Sequence, residues 1–434
     1  MNYLLKNSTI LNLFPSEFKQ FDVRISDEKI IETGKSLKQK SGEEIIDCSG
    51  KFIMPGLVNS HTHLYSALAR GMSGPKKPPS NFLEILQKIW WKLDEALDEE
   101  SVYYSGLVGA IEAIKYGTTT LIDHHASPNY ISGSLGTLKN AMEEVGLRGI
   151  LCYETTDRGG IQKRDEGLDE NESFIIANQK NPFFRGMVGA HASFTLSEDS
   201  LKKLGELVQK YDNGIHIHVA EDKADVSDCL ENYQKGLVDR LKDNGLLNSK
   251  SIYAHGVHLT RDEIKKIKKA KTWLIHNPRS NMNNRVGYAP LSLFGERTAL
   301  GTDGFPADMF EEAKIGFFRN QESSHQTRFT RIAESLQTGN TIISEIFVEK
   351  FGVISKGNQA DLVILDYKSP TPLSKENLLG HFIFGMNSSI VESVMVGGKW
   401  ILWNKQVLGI DEEAVMVEAQ KVAKRLWKRM AKNV

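Results

Sequence analysis

The sequence predicts an α/β fold: a closed TIM (β/α)8 barrel with a small β-sandwich formed from both chain termini. Three observations carry this expectation. Through the middle of the chain, about eight short apolar segments alternate with amphipathic stretches. That rhythm implies parallel strands joined by right-handed helical crossovers, and about eight such units close a barrel. Strand-like segments stand at both ends of the chain, and chain ends often lie close enough to pair. Finally, most of the 12 histidines fall at or near predicted barrel-strand ends, which in a TIM barrel share one mouth.

Taken in order, residues 3–5, 9–13, 22–25 and 29–33 carry apolar pairs and alternation between polar turns, as short strands do. The barrel strands are expected at 52–63, 119–124, 149–154, 186–191, 214–221, 251–255, 272–276 and 298–303. Segments 360–366, 390–396 and 399–402 return to strand patterning, and 410–430 reads as a closing helix. The predicted division is therefore 1–54 for the first part of the sandwich, 55–356 for the barrel, and 357–434 for the second part with the helix. The segment 82–97, with Trp90 and Trp91, reads either as a lid over the mouth or as core packing. A doubly wound open sheet is the rival architecture, but no Gly-x-Gly-x-x-Gly follows an early strand.

Composition narrows the function classes. The 434 residues are 40% hydrophobic and 25% charged, with a formal net charge of −1. A folded core is expected, and a nucleic-acid surface is not, since that would show a basic excess. The Lys-rich run 265–271 fits the solvated face of a helix. Three widely spaced cysteines without Cys-x-x-Cys argue for reduced thiols. The first residues lack a signal-peptide pattern, and no apolar run has the length of a membrane span. The expectation is a cytoplasmic protein without nucleic-acid or membrane partners.

The chemistry starts at His61-Thr62-His63. Residues two apart on a strand share a face, so both imidazoles aim into the barrel and offer half of a first-row metal site. His218 can supply a third nitrogen, and Asp303, in Gly301-Thr302-Asp303-Gly304, a carboxylate at the eighth strand end. Three nitrogens and one oxygen leave room for water, as a catalytic site requires. Glu221 lies just past His218, where it can reach that water. His255 ends the sixth strand as a further ligand or as a base beside the water. His216 shares the face of His218 one layer deeper and reads as a hydrogen-bonded core histidine. His276 either supports the site from outside or belongs to a turn. Of His124 and His125, at most one faces the mouth, because adjacent strand residues point oppositely. His191 is placed for a substrate contact, whereas His258, His325 and His381 fall away from strand ends.

The strings Pro55-Gly56-Leu57-Val58-Asn59-Ser60-His61-Thr62-His63, His218-Val219-Ala220-Glu221, Ala254-His255-Gly256, His276-Asn277-Pro278 and Gly301-Thr302-Asp303 together resemble the cytosine deaminase, guanine deaminase and chlorohydrolase branch of the amidohydrolase superfamily. The resemblance covers nearly the whole chain. More narrowly, Asp123-His124-His125-Ala126-Ser127-Pro128, Tyr153-Glu154-Thr155-Thr156-Asp157-Arg158 and Arg279-Ser280-Asn281-Met282 are similar to the SsnA-type aminohydrolases. That implies a bacterial purine- or selenium-linked setting without naming a substrate.

The resemblance implies one divalent metal, usually zinc and sometimes iron, on His61, His63, His218 and Asp303. It makes Glu221, His255 and Asp303 the catalytic, proton-handling residues. Two-metal relatives use a carboxylated Lys on the fourth strand; here that strand ends Gly189-Ala190-His191. The implied reaction is hydrolytic deamination of an aminated, purine- or pyrimidine-like heterocycle. His191, Arg158, Arg279, His276 and His125 are its candidate contacts, with surface or turn charge as the alternative for each Arg. A homodimer is the assembly expected with it. Removal of halide from a heterocycle is the enzymatic alternative, and a non-catalytic small-molecule-binding barrel the alternative of another class.

Overall fold

The structure, a computed structural model, describes residues 2–323 and 328–432. His325 lies outside the described residues. Eight parallel strand positions form the barrel: Leu57–Thr62, Thr118–His125, Arg148–Tyr153, a fourth split into Phe184–Gly186 and Val188–Ala192, then Ile215–Val219, Ile252–His255, Trp273–His276 and Thr298–Leu300. The first three pair with Phe184–Gly186 as one sheet, and Val188–Ala192 with the last four as another. Met187, at the break, donates its N–H to the Leu151 carbonyl at 3.0 Å and carries the fourth strand across. Parallel bridges Thr155–Ala190 and Thr62–Asp303 close the ring.

Closure between the first and eighth strands is built from backbone and small side chains. The N–H groups of Thr302 and Asp303 both donate to the His61 carbonyl at 3.0 Å. Asn59 donates to the Thr302 hydroxyl at 2.6 Å and accepts from the Thr302 N–H at 3.0 Å. A Cβ on Gly301 would lie 2.8 Å from the His61 carbonyl oxygen, so only glycine lets the two strands come this close. Helix Phe329–Phe347 then packs across the seam.

The segment 52–63 is two strands rather than one. Phe52–Pro55 pairs with Asn2–Asn12 and Leu362–Leu365 in the terminal sheet, and Leu57–Thr62 opens the barrel. Gly56 between them sits against Thr119, where a Cβ would meet the hydroxyl at 2.1 Å. Residues 3–5 and 9–13, expected as two strands, form the single strand Asn2–Asn12. Its register shifts between Leu5 and Ser8, and Asn7 takes φ 60° there with its N–H on Asp22 Oδ1 at 2.9 Å. A bulge therefore does what the sequence suggested a turn would do.

The terminal sheet has nine strands from both chain ends. Its period-two pattern is legible in Leu362–Leu365. Leu362 and Ile364 join Leu5, Ile10, Val23 and Ile25 in the sheet's own core, while Val363 and Leu365 pack into the main core. Helix Glu412–Lys432 packs on Glu99–Lys115 through Ala419, Val422 and Leu426. Among the described residues, no helix is long and apolar enough to cross a membrane.

One buried ion pair ties barrel to terminal sheet. Arg148, at the start of the third barrel strand, meets Asp361 through Nε at 3.1 Å and Nη2 at 3.2 Å. Asp361 also accepts the Gly397 N–H at 2.7 Å. Both side chains are buried, so removing one charge leaves the other uncompensated. Asp361→Asn should destabilise the protein by about 3–5 kcal/mol, read as a lower denaturant midpoint; an unchanged midpoint would show that the pair does not hold the two parts together.

Candidate active site

Strand alternation puts His61 and His63 on one face, and closure brings the eighth strand end against them. Asp303 Oδ1 lies 2.9 Å from His63 Nε2 and 3.5 Å from His61 Nε2. His218 Nε2 lies 3.2 Å from His63 Nε2. One nitrogen or oxygen from each of His61, His218, His255 and Asp303 falls within a 4.8 Å cluster. All these side chains are buried or nearly so.

His61, His63 and His255 each have the outer nitrogen engaged, which fixes where the lone pair points. His63 Nδ1 donates to the His124 carbonyl at 2.5 Å, leaving Nε2 as an acceptor. His61 Nδ1 pairs with His216 Nε2 at 2.8 Å, and His216 Nδ1 lies 3.7 Å from the Cys152 sulfur. With the proton of that pair on His61 Nδ1, His61 Nε2 is also a lone pair. His255 Nδ1 donates to Asn281 Oδ1 at 2.9 Å. The buried Nε2 atoms of His61 and His255 have no hydrogen-bond partner. Lone pairs converging on a carboxylate, with orphaned buried nitrogens among them, fit a divalent cation.

The electrostatics agree with that fit. Burial pushes the His61 pKa down to about 3 and His218 well below its ordinary value, keeping both neutral. Burial also opposes a charge on His63, but the hydrogen bond and charge of Asp303 outweigh it and lift His63 to about 9, so at His63 Nε2 a proton competes with a cation for the lone pair. Burial alone would raise Asp303; the neighbouring His61 and His63 nitrogens hold it well below the carboxylate range. The carboxylate thus stays ionised and asks for positive charge at this spot. Asp303, His255 and Ala220 take φ of 54°, 74° and 51°. Such left-handed non-glycine residues are sparse in proteins and gather at functional sites.

Glu221 follows the fifth strand, with Oε2 3.5 Å from His255 Nε2 and Oε1 accepting from Asn284 at 3.4 Å. Burial lifts its pKa to about 7 despite nearby His255. The helix Pro278–Asn283 and the residue after it serve this side of the site. Ser280 donates to Asp303 Oδ2, Asn281 orients His255, and Asn284 reaches Glu221.

His63, His218, Glu221, Ser280, Asn284 and Asp303 open onto a cavity of about 510 Å³. Phe82, Leu86, Ile89, Trp90 and Trp91 wall one side, within the helical stretch Phe82–Ala96 that contains the wider π-turn Leu86–Trp90. The segment expected as lid or core thus lines the cavity and packs into the core. His191 lines the cavity, its Nδ1 on Thr195 Oγ1 at 2.8 Å.

The other suggested contacts lie elsewhere. Arg279 is held by Glu311 at 2.5 Å, by Glu312 and by the Pro306 carbonyl, outside the cavity lining. His125 faces Ser127 at 2.9 Å. His276 is buried outside the lining with both ring nitrogens unpartnered. Arg158 stands behind the wall, stacked 4.7 Å from the Trp91 ring and bonded to Glu154.

Two acidic groups escaped the sequence reading. Asp94 lines the cavity from the covering helix, where no strand-end rule points. Burial lifts its pKa to about 8, against the pull of Arg158. Glu154 lines it from the end of the third barrel strand, a position that the strand-end rule does mark.

The profile of the amidohydrolase family matches residues 52–401. The chain is 31% identical to a 5-methylthioadenosine/S-adenosylhomocysteine deaminase of Caldanaerobacter subterraneus subsp. tengcongensis, over 98% of this chain and 99% of that one. It is 29% identical to a 5'-deoxyadenosine deaminase of Methanobrevibacter smithii, over 98% of each. Among solved structures, an adenosine deaminase from Xanthomonas campestris with bound zinc matches with TM-score 0.87 at 21% identity, covering 98% of each chain. An atrazine chlorohydrolase from Arthrobacter aurescens, complexed with zinc, matches with TM-score 0.81 at 17% identity, covering 97% of this chain and 100% of that one. The structural likenesses establish the fold.

Asp225 joins the two strand-end loops that carry His191 and Glu221. Its carboxyl accepts the Ala220 N–H at 2.9 Å and the Phe194 N–H at 3.2 Å. Burial raises its pKa to about 7, above the unfolded value of about 3.9. The folded state therefore holds the proton more tightly. The associated stability is complete below about pH 4 and is lost as pH rises through about 7. The slope reaches at most about 1.4 kcal/mol per pH unit. Denaturation series between pH 4 and 8 should show this decline flattened in Asp225→Asn; an identical profile would remove Asp225 as its source.

Proposed function

The chain belongs to the amidohydrolase family, and on that premise we propose that it is a metal-dependent deaminase releasing ammonia from an aminated purine- or pyrimidine-like ring. It is a hydrolase of carbon–nitrogen bonds in cyclic amidines. The observation that carries the reading is the close approach of His61, His63, His218 and Asp303 to one another, with His255 in the same cluster and Glu221 beside it.

Those four residues would hold one divalent ion, whose Lewis acidity would lower the pKa of water toward about 7. The N,N,N,O donor set suits zinc, with iron as the alternative. Asp303, kept ionised, and His255, with its Nε2 lone pair facing the site, would take the proton from the attacking water. Glu221 sits where it can pass a proton to the ring nitrogen next to the reacting carbon, and then to the departing amine. Its burial suits this role, because a carboxyl that titrates near neutrality can both give and take a proton. The apolar wall of Phe82, Leu86 and Trp90 offers a flat ring a dry surface. The motifs shared with the SsnA-type aminohydrolases support a purine-linked setting. Free, buried Cys48, Cys152 and Cys229 suit a cytoplasmic one.

Elemental analysis should find one equivalent of metal in the purified protein and much less in His61→Ala. Ammonia should be released from at least one ring of a panel of aminated purines, pyrimidines and triazines. Glu221→Gln should keep its metal and lose about 10²–10⁴-fold in kcat. A metal-loaded protein inert on the whole panel, or a Glu221→Gln variant with full turnover, would count decisively against this function.

A further inference from the structure

One wall of the cavity carries a charge that deamination leaves without a task. Glu154 is 3% exposed and lines the cavity beside His191 and His218. A carboxylate oxygen of Glu154, a nitrogen of His191 and a nitrogen of His218 lie within 4.8 Å of one another. Glu154 is therefore within a fused ring's reach of the cluster that would hold the ion.

Among the described residues, Arg158 is the one side chain that hydrogen-bonds to Glu154. Its Oε1 accepts from Arg158 Nη2 at 2.8 Å. Its Oε2 faces His124 Nδ1 at 3.5 Å. His124 directs Nε2 at the carbonyls of Ala190 and His216, at 3.0 and 3.2 Å, so its proton is there. Its Nδ1 is buried and without a hydrogen-bond partner. The Thr195 hydroxyl donates to the Ala192 carbonyl at 3.0 Å and so accepts from His191 Nδ1. His191 Nε2, the remaining lone pair, lies 3.9 Å from Glu154 Oε1. The His191 lone pair and the Glu154 carboxylate thus face one corner, with Arg158 hydrogen-bonded to Glu154 from behind the wall. Buried acceptors without donors are unfavourable, and a ligand N–H removes the deficit.

The rest of the lining offers nothing to an anion. Among the described residues, Arg70 is the only Arg of the lining and no Lys joins it. Arg70 is bound by both oxygens of Glu112, at 2.5 and 2.8 Å. Asp94, Glu221 and Asp303 add acidic groups.

We propose that Glu154 is the recognition group for a ring N–H of the ligand. The ligand is then an uncharged, flat heterocycle that keeps a ring N–H away from the reacting carbon: a free base, rather than its N-riboside or a phosphate ester. This rests on the deaminase reading for which carbon reacts, and not for the binding itself. A riboside replaces the N–H with carbon and leaves the Glu154 corner short of a donor. The penalty is of the size of one charge-assisted hydrogen bond, about 10- to 100-fold in affinity.

The test is calorimetric binding to the metal-loaded full chain, with ammonia measured in the same samples. The probes are adenine, guanine and cytosine, their N-methylated forms that lose only the ring N–H, and adenosine, guanosine and cytidine. At least one free base should bind about 10-fold or more tightly than both its methylated form and its riboside. Glu154→Gln should close that gap by weakening the free base alone, with metal content unchanged. The proposal is overturned if no base binds, if a base and its methylated form bind equally, or if a riboside binds tightest. A gap that survives in Glu154→Gln overturns it as well. Should that variant not fold, the comparison of base with methylated base in the unaltered protein still decides. Ammonia from adenosine without preference for bases would sink this proposal and leave the deaminase reading standing. A base bound through Glu154 without ammonia release would do the reverse.

Discussion

The contact between the first and eighth barrel strands is the constraint on which the site depends. Thr302 and Asp303 both hang their N–H groups on the His61 carbonyl, and the bridge from Thr62 to Asp303 sets the register. A parallel ring must close somewhere, and here the closing bonds belong to the residues that converge on the candidate ion. Shifting that register by one residue would turn His61 and His63 to the wrong face. The small residue at Gly301 and the Asn59 clasp serve this closure rather than the chemistry.

Around that seam, the second layer of side chains decides what the first can do. Neutral imidazoles have one donor and one acceptor nitrogen, and the outer partner chooses which faces inward. The His124 carbonyl, His216 and the Asn281 amide oxygen each engage an outer nitrogen. His216, a core histidine by its depth, acts on the site through His61 without touching a ligand itself. The inward lone pairs crowd together, with two nitrogens 3.2 Å apart beside a carboxylate. Such crowding is unfavourable on its own, and the packed barrel around it enforces the arrangement. The left-handed backbone at Ala220, His255 and Asp303 belongs to the same enforced geometry.

The two walls of the cavity differ in character. The Phe82–Ala96 stretch brings apolar rings, suited to a flat face. The opposite chemistry comes from strand ends, where Glu154, His191, His218, Glu221 and Asp303 present acceptors. Arg158 bridges the two by stacking on Trp91 while holding Glu154. A pocket so arranged separates ligands by where they carry hydrogen, because a missing donor leaves a buried acceptor unpaired.

The sequence by itself determined the barrel, its eight strand positions and the residues at their carboxyl ends. Strand periodicity and the alternation of strands with helices are local properties, read without knowing what touches what. For the same reason it marked His61, His63, His218, Glu221, His255 and Asp303. The bulge at Asn7 and the change of sheet at Gly56 were not legible, since both depend on a partner strand. Tertiary structure alone decided that Arg279 turns to Glu311 and Glu312 instead of the cavity, because the partner carboxylates come from a helix some thirty residues away. It alone brought Asp94 to the cavity, and it alone set which nitrogen of His63 and of His255 turns inward. Those choices rest on contacts between segments distant in the chain, and no local pattern of residues records them.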